Sequence, residues 1–80
     1  MKATVENIKE VIDEAEVLGD VNEMKTDVPL VNQGIDSLDV VNVYLLLEEK
    51  FDIQIPDEDL MHVQSIDSII TYINNKIIES

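Results

Sequence analysis

The sequence predicts an all-α fold: a four-helix bundle with a short third helix and a long loop between helices one and two. Three stretches of this 80-residue chain repeat apolar residues at helical spacing, and a fourth, shorter stretch begins at Pro56. Residues 20–36, between the first two helices, have no sustained period and contain Pro29 and Gly34. Because so short a chain can bury only one modest core, we expect a single domain over residues 1–80.

The first helix is predicted from Thr4 to Leu18, where apolar residues recur on one side and charged residues fill the other. Thr4 is a suitable N-cap because its hydroxyl can accept a hydrogen bond from a free backbone N–H group. Gly19 is a suitable stop because glycine adopts the left-handed conformation that commonly ends helices. The residues expected to face the core are Val5, Ile8, Val11, Ile12, Ala15 and Leu18, followed in the loop by Val28, Leu30 and Val31.

The second helix is predicted from Ser37 to Lys50, with Asp36 as its N-cap. Its apolar residues fall into two stripes that are offset around the helix axis, which is more than burial of one face requires. The first stripe comprises Val40, Val43, Tyr44, Leu47 and Phe51, and the second comprises Leu38, Val41 and Leu45. One stripe belongs to the core. The other is either an exposed interaction patch beside Ser37 or a second buried face, and periodicity leaves both possibilities open.

The last third of the chain contains a connector and two helices. Residues 51–56 form the connector, since a lone strand would have no partner to pair with. Pro56 suits the first position of the short third helix, whose positive end favours the acidic residues that follow. Ser65 can cap a fourth helix, on which Asn74 is expected to face solvent. The core-facing residues of that helix are Ile66, Ile69, Ile70, Ile73 and Ile77.

The composition excludes several classes of function. With 18 acidic residues against five Lys and Arg, the net charge is -13, which argues against nucleic acid or an anionic membrane as ligand and favours basic protein partners. No stretch has the length of a membrane span and the first residues lack a signal-peptide pattern, so a cytoplasmic protein without membrane insertion is expected. The absence of cysteine excludes disulfides and thiolate metal sites.

Neither catalysis nor a metal site is predicted. An enzyme would need a nucleophile and a base, but nothing resembling a nucleophile elbow surrounds Ser37, and His62 reads as a surface or partly packed residue. A calcium loop begun at Asp57 fails because its glycine position holds His62 and its closing glutamate position holds Ser68. The acidic residues after Pro56 are therefore interpreted as a solvated face.

Ser37 is the residue most suited to carry an attached group. At the first turn of a helix, several backbone N–H groups lack partners and the helix dipole is positive, so a covalently attached phosphate would be favoured there. The loop that contains Gly34 gives way to the helix at Asp36, so the Ser37 hydroxyl is expected on the surface. From these local residues alone, an ordinary helix-start serine remains the simpler interpretation.

Three motifs in a fixed order connect Ser37 with a known family. The segment Gly-Ile-Asp-Ser-Leu-Asp at residues 34–39 is followed by Glu-Glu-Lys-Phe at 48–51 and Ile-Pro-Asp-Glu at 55–58. Together, in a small acidic chain, these motifs resemble the acyl carrier proteins, and the similarity continues through residues 72–74. The resemblance covers essentially the whole chain, most weakly the first helix and the loop after it.

The resemblance implies that Ser37 is esterified with the 4′-phosphopantetheine of coenzyme A by a separate phosphopantetheinyl transferase, with Asp36 contributing to transferase recognition. The arm ends in a thiol, which supplies what a chain without cysteine lacks. The protein is then a monomeric carrier rather than an enzyme. It would deliver thioester-bound acyl groups to acyl-transfer and chain-elongation enzymes of fatty-acid or polyketide-type biosynthesis.

Those enzymes are expected to bind this acidic chain through basic patches. Exposed ion pairs give fast and weak association, which suits a carrier that must leave again. The expected docking residues are Leu38, Val41 and Leu45 as apolar anchors, with Asp36, Asp39, Glu48, Glu49, Asp57, Glu58 and Asp59 as acidic contacts. The predicted acyl pocket comprises Leu47, Val63, Ile69 and Ile73, whose alternative role is ordinary core. Asn42 departs from the family pattern, since many members have an acidic residue there, and a partner choice different from housekeeping fatty-acid synthesis is possible.

Two other functions fit the same fold. An aminoacyl or peptidyl carrier of a nonribosomal pathway would use the same arm for amino-acid cargo, although those domains more often have a histidine or another residue where this chain has Asp36. An acidic adaptor would keep the fold and never be loaded. Modification by a transferase separates a carrier from an adaptor.

Overall fold

The protein is a small assembly of helices. In its computed structural model, residues 2–15 and 21–79 are described, with 78 and 79 described by their backbone alone. The main helices are α1 (Val5–Glu14), α2 (Ser37–Phe51), α3 (Ile66–Glu79) and a 3₁₀ helix at Asp57–His62, here called the short helix. Two single 3₁₀ turns, Val21–Glu23 and Leu30–Gln33, lie between α1 and α2. The described ranges of the chain contain no strand. The predicted all-α fold with a short third helix is confirmed, and that helix is 3₁₀ rather than α-helical.

α1 begins where the capping chemistry of the sequence places it. The Asn7 N–H donates to Thr4 Oγ1 at 3.2 Å, and the Thr4 N–H donates to Asn7 Oδ1 at 3.2 Å, so two backbone donors of the first turn are satisfied. The helix ends at Glu14 with Ala15 as its C-cap. Leu18 and the predicted stop Gly19 lie outside the described residues.

The connection between α1 and α2 is held by hydrogen bonds from one glutamine. The Gln33 side-chain amide accepts from the Lys25 N–H at 2.8 Å and donates to the carbonyls of Lys25 and Val28 at 2.8 and 2.9 Å. Leu30 is fully buried, as predicted, and its N–H donates to the Gln64 carbonyl at 2.8 Å. Val31 was expected over the core but is 50% exposed, because the 3₁₀ turn Leu30–Gln33 directs consecutive side chains to different sides.

One core joins these elements. α1 packs against both α2 and α3, the short helix packs against α3, and the turn Leu30–Gln33 packs against α2. The largest fully buried side chains are Ile8, Val11, Ile12, Leu30, Val43, Leu47, Val63, Ile66, Ile69 and Ile73. Val43 and Leu47, the members of this set that belong to α2, lie on one side of the helix. α2 therefore contributes a single face to the core.

α3 also anchors the beginning of the chain. The Ser68 N–H donates to Ser65 Oγ at 3.1 Å, which confirms Ser65 as the cap. Asn74 was expected in solvent but is half-buried: its Oδ1 accepts from the Ala3 N–H at 2.8 Å, and its Nδ2 donates to the Ala3 carbonyl at 3.3 Å. The physical reason is that Ala3 precedes α1 and its backbone groups need partners outside a helix.

Candidate attachment and docking site

Ser37 is the first residue of α2, and its side chain is exposed as predicted. The residue before it, Asp36, caps the helix, since the Leu38 N–H donates to Asp36 Oδ1 at 2.8 Å. Two residues further back, Gly34 has a φ of 89°, a left-handed conformation that suits glycine, and Ile35 is buried. The buried Ile35 and the Asp36 cap, which both precede Ser37, fix the backbone so that Ser37 faces outward at the positive end of a 15-residue helix.

A cavity of about 260 Å³ opens beside Ser37. Its walls come from α2, from the short helix and its exit, and from the connection before α2. The lining residues are Val31, Ser37, Val40, Val41, Tyr44, Leu60, Met61 and Gln64. Because most of these side chains are apolar, the cavity can shelter an apolar group next to the Ser37 hydroxyl. Of these residues, sequence reasoning placed only Ser37 and Val41 at the site. It missed the others, since their proximity to Ser37 depends on how the short helix and the connection pack against α2.

The second apolar stripe of α2 faces solvent. Leu38 is 74% exposed, Leu45 is 55% exposed and Val41 is 47% exposed, and Met61 from the short helix is 69% exposed. Of the two possibilities that periodicity left open, the structure therefore shows the exposed patch. The partner-binding role of these residues stays a prediction at this point.

The carboxylates predicted for docking divide into two groups. Three of them have partners within the chain: Asp36 caps α2, Glu48 Oε2 accepts from the Ile55 N–H at 2.8 Å, and Asp59 Oδ2 accepts from the Tyr72 hydroxyl at 2.6 Å. The other four are Asp39, which is half-buried, and the exposed Glu49, Asp57 and Glu58. The first group therefore has a structural role that sequence reasoning did not foresee for Glu48 and Asp59.

Two phenols link the elements around this site. The Tyr44 hydroxyl donates to the buried carbonyl of Val63 at 2.9 Å, and burial raises the pKa of Tyr44 above the ordinary value for tyrosine. Burial also raises the pKa of Tyr72, and its hydrogen bond to Asp59 and the negative charge of nearby carboxylates raise it further. Both hydroxyls are therefore neutral donors at neutral pH, and each ties a helix to the segment around the short helix.

The four residues predicted to form the acyl pocket are all fully buried. Leu47, Val63, Ile69 and Ile73 lie in the core, and none of them lines the cavity beside Ser37. Their role toward cargo stays a prediction.

The remaining expectations concern His62, a metal site and a membrane-spanning helix. His62 is exposed and lines a separate surface depression with Tyr72, away from the cavity that contains Ser37. Within the described ranges, no group of three or more His, Cys, Asp and Glu side chains is placed to hold a metal ion. In the same part of the chain, no helix has both the length and the apolar character needed to cross a membrane.

Comparison with known proteins agrees with this geometry. The family described as Phosphopantetheine attachment site matches residues 6–73, which defines the class of the domain as phosphopantetheine-bearing. The acyl carrier protein of Campylobacter lari is 40% identical over 67 residues, covering 84% of this chain and 86% of the relative. Those of Clostridium acetobutylicum and Campylobacter jejuni subsp. doylei are 40% and 39% identical over 70 and 75 residues, covering 85% and 91% of this chain and 88% and 95% of the relatives.

The chain therefore belongs to the acyl carrier protein family. Its relatives are carriers rather than enzymes, and the phosphopantetheine attachment domain of this family carries 4′-phosphopantetheine covalently.

Proposed function

We propose that Ser37 carries the 4′-phosphopantetheine arm and that the protein delivers acyl thioesters between enzymes of fatty-acid or polyketide-type biosynthesis. The observation that carries this proposal is the exposed serine hydroxyl at the first position of α2, beside an apolar cavity, in a chain of the acyl carrier family. A phosphodiester at this position would lie near the free N–H groups and the positive dipole of α2. The site therefore fits the group in charge and in access.

The residues around Ser37 act by positioning it for a separate transferase. Ser37 supplies the oxygen of the new phosphodiester bond, while the nucleotide half of coenzyme A leaves and the transferase takes the serine proton. Asp36 keeps the start of α2 in place through its hydrogen bond to the Leu38 N–H, and its exposed carboxylate is available for transferase recognition. When bound, the arm supplies a thiol that holds acyl groups as thioesters. The chain itself performs no chemistry on them.

Partner enzymes bind the surface beside Ser37. The exposed stripe of α2, together with Met61, offers apolar contacts. The carboxylates that have no partner among the described residues offer attraction to Lys and Arg. Because exposed ion pairs steer association more than they strengthen it, such docking is fast and reversible, as a carrier requires. Asn42 is exposed within this face and carries no charge, which favours partners whose basic patch is smaller at that point.

A single modification experiment tests the attachment. The apo protein is incubated with coenzyme A and a phosphopantetheinyl transferase that modifies a reference acyl carrier protein, and the intact mass is measured. Wild type is expected to gain the mass of one arm and Ser37→Ala to gain none. Ser68→Ala is the matched control, because Ser68 also lies near the start of an α-helix but away from the cavity, and it is expected to behave as wild type.

The alternatives give different outcomes. An unloaded adaptor of the same fold would show no mass increase in wild type, and modification that persists in Ser37→Ala would place the arm elsewhere. An aminoacyl or peptidyl carrier would gain the arm, but mass spectrometry of the protein isolated from its own cell would then show an amino-acid group rather than an acyl group on the thiol.

A further inference from the structure

A depression of about 520 Å³ lies between the short helix and α3, and none of its polar side chains belongs to the proposed docking residues. Here called the polar depression, it is lined by Met61, His62, Asp67, Ser68, Thr71, Tyr72 and Asn75. We propose that the polar depression is a resting site for the pantetheine arm, whose amides and hydroxyl it binds when no partner enzyme is docked. This inference rests on the proposed function, because it requires the arm to be attached to Ser37.

The polar depression adjoins the cavity beside Ser37. Met61 lines both, and its side chain, which is 69% exposed, stands between them. The backbone of the pantetheine arm is as long as four to five extended residues, roughly 15 Å. The protein is 21 Å across in its shortest dimension. An arm that starts at Ser37 can therefore cross Met61 and reach the exposed side of α3.

The lining of the polar depression matches the chemistry of the arm. Within the described part of the chain, no hydrogen bond engages the side chains of His62, Thr71 and Asn75, so their polar groups are available to a ligand. Beyond its phosphate the arm is uncharged, and it can therefore approach a chain of net charge -13 without the repulsion that an anion would meet. At the crossing, Met61 offers an apolar surface to the methyl groups of the arm.

The walls of the polar depression are held at a fixed separation. The Tyr72 hydroxyl donates to Asp59 Oδ2 at 2.6 Å, which ties α3 to the short helix. The Lys76 ammonium lies 5.3 Å from the centroid of the Tyr72 ring and contacts the same side chain. Because both walls are in place before a ligand arrives, binding costs little ordering of the protein.

The same lining suits the arm better than an acyl chain. Most of its side chains are polar, so an apolar chain would gain little by leaving water there. The arm needs only a weak site, because its attachment to the protein gives an effective concentration on the order of 1 mM. A site with a dissociation constant of that size would be about half occupied. Such a site can release the arm as soon as a partner enzyme competes for it.

NMR of the apo and holo proteins gives the first test. Amide spectra of isotope-labelled protein are compared before and after the arm is attached. Signals of Ser68, Thr71 and Asn75 are expected to shift in addition to those near Ser37, whereas the signals of α1 stay in place. Shifts confined to α2 would overturn the inference.

A nitroxide on the arm gives a second readout. The chain contains no cysteine, so the thiol of the arm is the only thiol to be labelled. The nitroxide should broaden the signals of Thr71 and Asn75 more than that of Leu45, which an arm lying along α2 would approach. Broadening near Thr71 without corresponding shifts in the unlabelled holo protein would mean that the label binds rather than the arm, and would contradict the resting site.

A double variant tests the polar side chains themselves. Thr71→Val combined with Asn75→Ala removes a hydroxyl and an amide from exposed positions of α3, so the fold should be retained. Broadening at Ser68 and Tyr72 is expected to fall by at least about twofold, since a half-occupied site is emptied. Asn42→Ala is the matched control, because it removes an exposed helical amide that does not line the polar depression and should keep the wild-type pattern.

The outcomes separate this inference from the proposed function. No mass increase in wild type, when coenzyme A and a transferase are supplied, would contradict the attachment to Ser37 and the resting site with it. Normal attachment with the same broadening in the double variant and wild type would contradict only the resting site. Circular dichroism confirms that each variant is folded, and the shifts in wild type decide even if the double variant is not.

Discussion

The two apolar stripes of α2 are built from the same kinds of residue but have opposite surroundings. Val43 and Leu47 are fully buried against the rest of the core, whereas Leu38 and Leu45 are 74% and 55% exposed. Because burial of an apolar side chain is the main favourable term in folding, exposed leucines on a small domain contribute little to its stability. The proposed docking of a partner would give these leucines a role that folding does not. One helix thus buries one stripe in the core and presents the other to solvent.

The carboxylates of α2 show the same division at a finer scale. Glu48 and Glu49 are adjacent, but Glu48 is half-buried and accepts from the Ile55 N–H, while Glu49 is exposed. Ile55 is itself buried and precedes the short helix. Glu48 therefore fixes the path of the chain into the short helix, which forms one wall of the cavity, and Glu49 is available for a basic partner.

The largest expected effect is that of truncating one leucine from each stripe. Leu47→Ala removes a fully buried side chain and should lower the free energy of unfolding by about 2–5 kcal/mol, through lost transfer energy and a residual cavity. Leu45→Ala should change it by less than about 0.5 kcal/mol, as surface substitutions usually do. Chemical denaturation followed by circular dichroism measures both.

The same pair also separates stability from docking. At a temperature where both variants are folded, Leu45→Ala should slow modification or acyl transfer while Leu47→Ala, once folded, should not. Equal loss of stability in the two variants, or unchanged transfer rates in Leu45→Ala, would contradict the division of α2 into two functional faces.

The next effect concerns the tyrosines, one on the buried stripe of α2 and one on α3. The pKa of each is raised in the folded state above the ordinary value of 10.0, so folding favours the neutral phenol. This contribution to stability is complete below about pH 10, the pKa in the unfolded chain, and is lost as pH rises toward the folded-state pKa. The unfolding equilibrium constant should increase by up to about tenfold per pH unit for each tyrosine.

Near-ultraviolet absorbance of tyrosinate can test this directly, because the chain has two tyrosines and no tryptophan. Tyrosinate should appear together with the loss of helical signal rather than near pH 10 in the folded protein. Ionisation of either tyrosine near pH 10 with intact helices would contradict the buried, bonded environment described for it. Tyr44→Phe and Tyr72→Phe assign each step of the titration.

A smaller effect is expected from the two adjacent glutamates. Glu48→Ala leaves the Ile55 N–H without its acceptor and should lower the free energy of unfolding by about 1 kcal/mol, the usual net value of one hydrogen bond. Glu49→Ala removes an exposed negative charge from a strongly acidic chain and should be neutral or slightly stabilising. Thermal unfolding compares the two variants, and a larger loss of Tm in Glu49→Ala would reverse the assignment.

For docking, the larger effect is expected from Glu49 rather than from Glu48. Glu49→Lys is expected to slow transferase or acyl-transfer rates with helical content unchanged, because it reverses a charge that would face the basic patch of the proposed partner. Glu48→Lys is a poor probe of docking, since it also disturbs the chain near Ile55. Unaltered rates in Glu49→Lys would place the docking surface elsewhere.

The sequence predicts features that depend on interactions between residues close together in the chain, and it does not predict those that depend on residues far apart. Caps such as Thr4, Asp36 and Ser65 act within three residues, and helical periodicity is local, so the helices and the exposure of Ser37 were predictable. Asn74 and Ala3 are 71 positions apart, and nothing near either one indicates their pairing. Likewise, which stripe of α2 is buried depends on what packs against it.

The smallest expected effect comes from the docking carboxylates for which the described part of the chain supplies no partner. With a net charge of -13, repulsion between carboxylates should weaken the folded state, and salt screens this repulsion. Moderate salt or a divalent cation should therefore raise Tm by a few degrees, which corresponds to roughly 1 kcal/mol in the free energy of unfolding. Glu49→Gln should reduce this rise, because Glu49 is exposed and contributes to the repulsion. Glu48→Gln retains an acceptor for Ile55 and serves as the charge-matched control. A Tm that falls or stays constant with salt would mean that the exposed carboxylates of this surface do not oppose folding.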